Sequence, residues 1–290
     1  MRLRLFLLAF MVGACAHRGA SDAPAPARLT VDGARAKLRA ISPNRVQLWV
    51  VGHVRAHTTL RPDGTVEAAR LRVDTLARVD AVVNGGGDLA MLINSRCDMP
   101  RYERILAAVR ERHPAFPLGI SALSYGPSNV SEGFRLARML GARVVWTETV
   151  PGERMEYEDD DGTYVPAEVI DPAWALAVHA REAPGAMHVS GVHMKYTRPL
   201  DGRTFPEAIR AALGTVDGIN VTGPATGVAA DVERVRLARR EAGTWPLGVA
   251  SGMSVDNLDG TAQLVDYMIV GTSLKEPGNP LRTSMERVRA

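Results

Sequence analysis

Cysteine is scarce in this sequence, with only Cys15 and Cys97 among 290 residues. Two cysteines cannot frame a disulfide scaffold, and without a CxxC pair the usual zinc sites are excluded. No charge of one sign dominates either. The net charge of +3 comes from arginines scattered along helical stretches, which argues against a nucleic-acid partner. A long apolar run is also missing at the start, where Leu5 to Ala14 gives only ten residues. At 1.5 Å per residue such a run falls far short of the roughly 30 Å hydrocarbon layer, so it is no permanent span. The acidic run from Glu153 to Asp161 does not space its oxygens as a calcium loop does, so it is read as a solvated loop turning at Asp161-Gly162. No metal site and no cofactor motif are read from the chain.

What is present begins with Arg2 and Arg4 ahead of that apolar run, the pattern of a signal peptide over residues 1–14. The run stops at Val12-Gly13-Ala14-Cys15, which resembles a bacterial lipobox. Acylation of Cys15 on sulfur and amine supplies the two or more chains that hold a protein on a bilayer. Ala16 rather than Asp after Cys15 favours sorting to the outer membrane, with the protein on the periplasmic face. Residues 15–44, rich in Ala, Pro, Arg and Ser, read as a flexible tether. Residues 45–290 then suffice for one domain of roughly 250 residues with a single large core.

From Arg45 onward short apolar runs alternate with amphipathic stretches. The expected strands are Val46–Val51, Ala81–Val83, Leu118–Leu123, Arg143–Thr147, Met187–Met194, Gly218–Thr222, Leu247–Ala250 and Tyr267–Val270. The expected helices are Val66–Ala77, Tyr102–Arg112, Ser131–Leu140, Pro172–Arg181, Pro206–Leu213, Val232–Glu241, Val255–Gln263 and Thr283–Val288. Eight βα units closing on themselves give an α/β fold of the (β/α)8 TIM-barrel type. A doubly wound open sheet is the alternative.

Glycine and hydroxyl residues concentrate at the ends of the last strands: Thr222, Gly223, Thr226 and Gly227, then Ser251 and Gly252, then Gly271, Thr272 and Ser273. Backbone N–H groups and hydroxyls there can cradle phosphate or another small anion, as the loops after the last two barrel strands often do. The same glycines can instead serve tight βα turns. His193 and Lys195, two apart on an expected strand, point the same way. His193 then moves a proton, and Lys195 clamps an anion or, once desolvated, forms a Schiff base. Glu148, one strand over, is their counter-ion or general base, and an ion-pair network without chemistry is the competing reading. His53 is a weaker histidine of the same kind.

These blocks, with Gly191-Val192-His193-Met194-Lys195 before them and Asn279-Pro280-Leu281 after, resemble the BtpA/SgcQ family, which is similar to the phosphate-binding barrels. The resemblance implies a single-domain (β/α)8 barrel with a ligand site at the strand ends. It departs from the family pattern at Asn84, Ser121, Glu148 and Gly191. The family's Asp before Val-His is Gly191 here, and Glu148 is a new carboxylate. The expectation is a membrane-anchored barrel binding a small anionic, phosphorylated, sugar-like ligand, with isomerase, lyase or hydrolase chemistry. Sugar phosphates are scarce outside the cytoplasm, so a lipid headgroup, cell-wall fragment or nucleotide are alternative anions. The competing expectation is an inactive binding or membrane-complex assembly lipoprotein, and self-association is left open. Cys15→Ser should abolish acylation and release the protein from the membrane fraction, read by fractionation and mass spectrometry. Retention of a processed, unacylated variant on the membrane would contradict the anchor.

Overall fold

The computed structural model describes residues 27–55, 65–95, 97–122, 125–159 and 161–290. Cys15 and the expected signal peptide lie outside the described residues. The described chain runs α1 (Val31–Ile41), β1 (Gln47–Arg55), α2 (Thr65–Gly85), β2 (Leu89–Ser95), α3 (Met99–Arg112), β3 (Leu118–Ser121), α4 (Pro127–Leu140) and β4 (Val144–Thr147). Next come β5 (Met155–Glu158), β6 (Tyr164–Pro166), α5 (Pro172–Glu182), β7 (Met187–Gly191), β8 (Thr197–Pro199), α6 (Phe205–Ala212) and β9 (Gly218–Thr222). It closes with α7 (Val232–Ala242), β10 (Leu247–Ala250), β11 (Tyr267–Val270), a hairpin of β12 (Lys275–Glu276) and β13 (Asn279–Thr283), and α8 (Met285–Arg289).

Eight parallel strands close on themselves in the order β1, β2, β3, β4, β7, β9, β10, β11 and back to β1. Alternate residues of each strand point inward, where Trp49, Met91, Trp146, Val189, Tyr267 and Ile269 form the barrel interior. Trp49 stacks on Tyr267 with ring centroids 3.9 Å apart. Gly248 makes room for that pair, because a Cβ there would lie 2.1 Å from the Tyr267 ring. The outward residues pack under the helices in a second, larger core that includes Phe134, Val178 and Ile209.

Four of the expected elements are corrected. Ala81–Val83 belongs to α2, because its apolar residues sit at helical spacing with Val79 and Val82 buried. The strand there is Leu89–Ser95, buried along its whole length. Asn84 therefore sits near the end of a helix, away from any strand end. The strand begun at Met187 stops at Gly191 rather than Met194. In place of a helix Val255–Gln263 there is a 3-10 turn, Val255–Asn257, followed by turns. Finally, part of the expected tether is the helix α1. Thr30 caps it by accepting from the Gly33 N–H, and Ala34, Leu38 and Ile41 bury one face. Leu38 and Ile41 join the barrel's interior cluster, and Gln47 Nε2 donates to the Leu38 and Ser42 carbonyls at 2.7 Å each.

The acidic segment after β4 is also more ordered than a solvated loop. It folds into the β5–β6 hairpin, whose turn is held by Asp159 Oδ1 accepting from the Asp161 and Thr163 N–H groups. Strand β8 pairs with β5 to give a three-stranded antiparallel sheet on the loops leaving the carboxyl ends of β4 and β7. At the opposite end of the barrel, Lys37 of α1 donates to both oxygens of the buried Asp217, at 3.1 and 3.0 Å. Removing one partner of a buried pair leaves the other charge uncompensated. Lys37→Ala should therefore cost about 3 kcal/mol of stability in denaturant unfolding, and an unchanged midpoint would show that α1 is only loosely docked.

Candidate functional site

Glu148 follows β4 at the carboxyl end of the barrel strands. Val144 and Trp146 belong to the interior and Thr147 turns outward, its hydroxyl 2.9 Å from His188 Nε2; Glu148, just past the strand, is buried within electrostatic reach of Lys195 and Tyr125. It is 6% exposed, and burial pushes its carboxyl up to about 7, with Lys195 pulling the other way. A carboxyl poised there exchanges a proton readily at neutral pH.

Lys195 reaches the same mouth by an irregular route. After Gly191 the chain turns sharply, with His193 at φ 45° and Tyr196 at φ 60°, both in the left-handed region that non-glycine residues rarely adopt. The Lys195 N–H donates to Thr222 Oγ1 at 3.2 Å, and its Nζ donates to Ser251 Oγ at 2.8 Å. Burial lowers the amine's pKa, and the Glu148 carboxylate opposes that shift. Ser251 itself sits at φ 73°, a strained conformation of a kind that clusters at functional sites. Beside Glu148 lies Tyr125, whose hydroxyl is held above its ordinary pKa by burial and then by that carboxylate. Its ring stacks on Tyr157 of β5 at 4.1 Å.

The space beside Gly191 is filled. A Cβ on Gly191 would lie 1.8 Å from Met194 Sδ, and Met194 belongs to the interior cluster. The thioether thus occupies the volume that any side chain at this position would need.

His193 does not join Glu148 and Lys195, which corrects the expectation that it shares a face with Lys195. The strand ends before it, so the two-residue period no longer applies. Its ring lies 5.9 Å from Phe205 at the start of α6, with Nε2 4.0 Å from Glu153 Oε1. Its backbone carbonyl accepts from Arg234 of α7. Burial lowers its pKa, with Arg234 adding to the effect, and burial pushes Glu153 up to about 7. The expected triad is therefore two clusters, Glu148 with Lys195 at the mouth and His193 with Glu153 toward α6. His53 stands at the end of β1, its Nδ1 2.7 Å from Ser95 Oγ.

The expected anion cradle is similarly divided. Thr222 and Ser251 meet Lys195. Thr226 meets Tyr196, whose hydroxyl accepts from the Thr226 N–H at 3.0 Å. Gly223 and Gly252 are required by the protein's own backbone, since a Cβ on either would lie 2.0 and 2.1 Å from atoms of Val228 and Ala229. Gly227, at φ 80°, has open space around it, and Gly271 has only Val51 in ordinary contact. Thr272 is exposed, and Ser273 Oγ donates to the Met253 carbonyl at 2.6 Å. A cavity of about 630 Å³ opens on the barrel's outer wall instead, lined by Leu48, Leu258, Val270 and Val288 among others, where the 3-10 turn leaves the helical layer thin. That cavity is mostly apolar and holds none of the mouth's ionisable groups. Sequence reasoning missed Tyr125, Glu153 and Tyr157, whose roles arise from loops meeting across the barrel. Among the described residues, no group of three or more His, Cys, Asp or Glu could hold a metal ion.

A closed parallel eight-stranded barrel with buried ionisable groups at its carboxyl-terminal strand ends defines a (β/α)8 barrel with a strand-end site. Phosphoribosyl anthranilate isomerase from Thermus thermophilus is similar over 84% of this chain and 95% of that one, with a TM-score of 0.52 at 14% identity. Tryptophan synthase from M. tuberculosis, in its aminoacrylate-bound form, gives a TM-score of 0.55 at 14% identity over 89% of this chain and 98% of that one. Such likenesses show the fold. The chain belongs to the BtpA family, whose sequence pattern matches residues 103–290. A photosystem I biogenesis protein of Synechocystis is 27% identical over 177 residues, 58% of either chain. An uncharacterized protein of Thermococcus kodakarensis is 34% identical over 121 residues, 40% of this chain and 45% of that one. The matched regions thus span less than two thirds of these relatives.

Because Glu148 ionises near its ordinary value of 4.5 when unfolded and at about 7 when folded, the folded chain holds the extra proton between those limits. Stability from this group falls as pH rises from about 4.5 through about 7. Glu148→Gln lacks that loss. Its stability relative to wild type should improve by about 2 to 3 kcal/mol between pH 5 and pH 8, and parallel pH profiles from calorimetry would contradict the burial of an ionising Glu148.

Proposed function

We propose that this protein binds a small anionic, phosphorylated ligand at the carboxyl ends of the barrel strands and performs acid/base chemistry on it with Glu148 and Lys195. The observation that carries this reading is the pair itself, an acid and an amine drawn out of water at one mouth, each shifting the other's ionisation. Burying ionisable groups is costly, and such shifted groups concentrate where chemistry is done. Lys195, the Thr222 and Ser251 hydroxyls and the unobstructed backbone at Gly227 and Gly271 supply donors for an anion. Thr226, Thr272 and Ser273 form the outer part of that rim. An isomerase, lyase or hydrolase acting on a sugar-like phosphate fits this set. The barrel is held on the periplasmic face of an outer membrane through acylated Cys15. Among the described residues no helix is long and apolar enough to cross a membrane.

A second reading, an inactive binding or membrane-complex assembly lipoprotein, is favoured by Met194 filling the space beside Gly191 and by the likeness to the Synechocystis photosystem I biogenesis protein. Thermal shift and turnover separate the two. Inorganic phosphate at millimolar concentration should stabilise the wild type, and Lys195→Met should weaken that binding roughly 10- to 100-fold, the loss of one charge-assisted contact. Gly271→Val should weaken it as well. Equal protection of wild type and variants would place the anion elsewhere, and binding without turnover on a panel of phosphosugars would favour the assembly reading.

A further inference from the structure

Of the 35 lysine and arginine residues in the chain, only Lys37, Lys195 and Lys275 are lysines. Arginine serves as well or better wherever a fixed positive charge or a bidentate clamp is needed, whereas only lysine offers an amine that can lose its proton and attack. Each lysine therefore calls for a reason. Lys37 sits in the ion pair with Asp217 at the closed end of the barrel. Lys275, after the turn Thr272–Leu274 that follows β11, is half-buried; burial lowers its amine to about 8 and the cation Arg78 adds to that shift, but no carboxylate is among the groups acting on it to carry protons. Lys195 stands at the mouth with its Nζ 2.8 Å from Ser251 Oγ, the buried Glu148 carboxyl just past the neighbouring strand β4 acting on it electrostatically, and Met194 and Trp146 in the apolar interior.

We propose that Lys195 is a nucleophilic amine that condenses with the carbonyl group of a small anionic aldehyde or keto acid, Glu148 carrying the protons. This rests on the reading of the mouth as an anion-binding acid/base site and names its substrate class. The unshared pair of Nζ attacks the carbonyl carbon and a C–N bond forms while the C=O π pair moves to oxygen. Glu148 gives its proton to that oxygen and takes one from nitrogen. The resulting hydroxyl then receives the Glu148 proton and leaves as water, so amine and carbonyl become a protonated imine beside the Glu148 carboxylate. Ser251 Oγ, accepting from Nζ, keeps the amine stretched across the mouth.

Borohydride trapping tests this. The full-length protein is incubated with pyruvate or with glyceraldehyde 3-phosphate, reduced with sodium borohydride, and mapped by peptide mass spectrometry. The expected product is a chain heavier by the carbonyl compound less one oxygen atom, with the label on the peptide containing Lys195. Glu148→Gln should slow labelling by about 100-fold or more, as loss of a general acid does, and Lys195→Arg should remove it. Label on Lys37 or Lys275 instead, or no label from either probe, overturns the proposal. Mapping the wild type needs no variant to fold. Phosphate stabilisation measured on the same sample separates the two ideas: its presence without label fells the imine alone, and its absence fells the anion site beneath it.

Discussion

Closure of the barrel is the constraint on which the other features depend. Pairing β1 with both β11 and β2 removes every edge from the main sheet, and a closed ring of eight strands leaves an interior that only side chains can fill. Period-two alternation then decides which residues go there. The same parity that stacks Trp49 on Tyr267 sends Thr147 outward to His188, and Glu148 follows at the end of that strand. A carboxyl at the rim of an apolar interior has little solvation, which is why its proton is retained to about 7.

Irregular chain at the mouth follows from where regular pairing stops. Strand β7 gives out at Gly191, and the next five residues use two left-handed conformations to carry Met194 into the interior and Lys195 across toward β9 and β10. Such backbone costs of order 1 to 3 kcal/mol per residue and persists only where surrounding contacts over-determine it. Those contacts are the Thr222 and Ser251 hydroxyls for Lys195, and the Tyr196 hydroxyl with Thr226 for the far side of the turn. The sheet of β5, β6 and β8 then covers this loop and brings Tyr157 onto Tyr125. The opposite end of the barrel is sealed by α1 through Leu38, Ile41 and the Lys37–Asp217 pair.

Much of the fold was legible in the sequence because alternating apolar strands and amphipathic helices have distinct periods. Six strands from Leu118 onward start at or within a residue of their observed first residue. The errors have physical causes. Ala81–Val83 looks like a strand because three apolar residues in a row fit either period, whereas the helix that contains them runs on to Gly85. The helix Val31–Ile41 was hidden in an Ala- and Arg-rich stretch whose buried stripe of Ala34, Leu38 and Ile41 is narrow. Glu148 and Lys195 stand out in the sequence from their expected place near strand ends. The separation of His193 was not legible, since it depends on a strand ending at Gly191, and Gly191 ends it through the packing of Met194. Glycine's second role was also hidden: Gly223 and Gly252 answer to the backbone of Val228 and Ala229, a contact made only once the loop has folded.

Coupling between Glu148 and Lys195 is the centre of this account, and the scarcity of lysine makes it directly observable. With only three lysines in the chain, isotope-labelled lysine gives a spectrum in which the side-chain signals of Lys37, Lys195 and Lys275 can be followed separately through a pH titration by NMR. The Lys195 amine should titrate below its ordinary range in the wild type, and its midpoint should fall further in Glu148→Gln, because the carboxylate that favours its charged form is gone. A Lys195 midpoint that does not move when Glu148 is replaced would show that the two groups do not meet at the mouth, and would contradict the account.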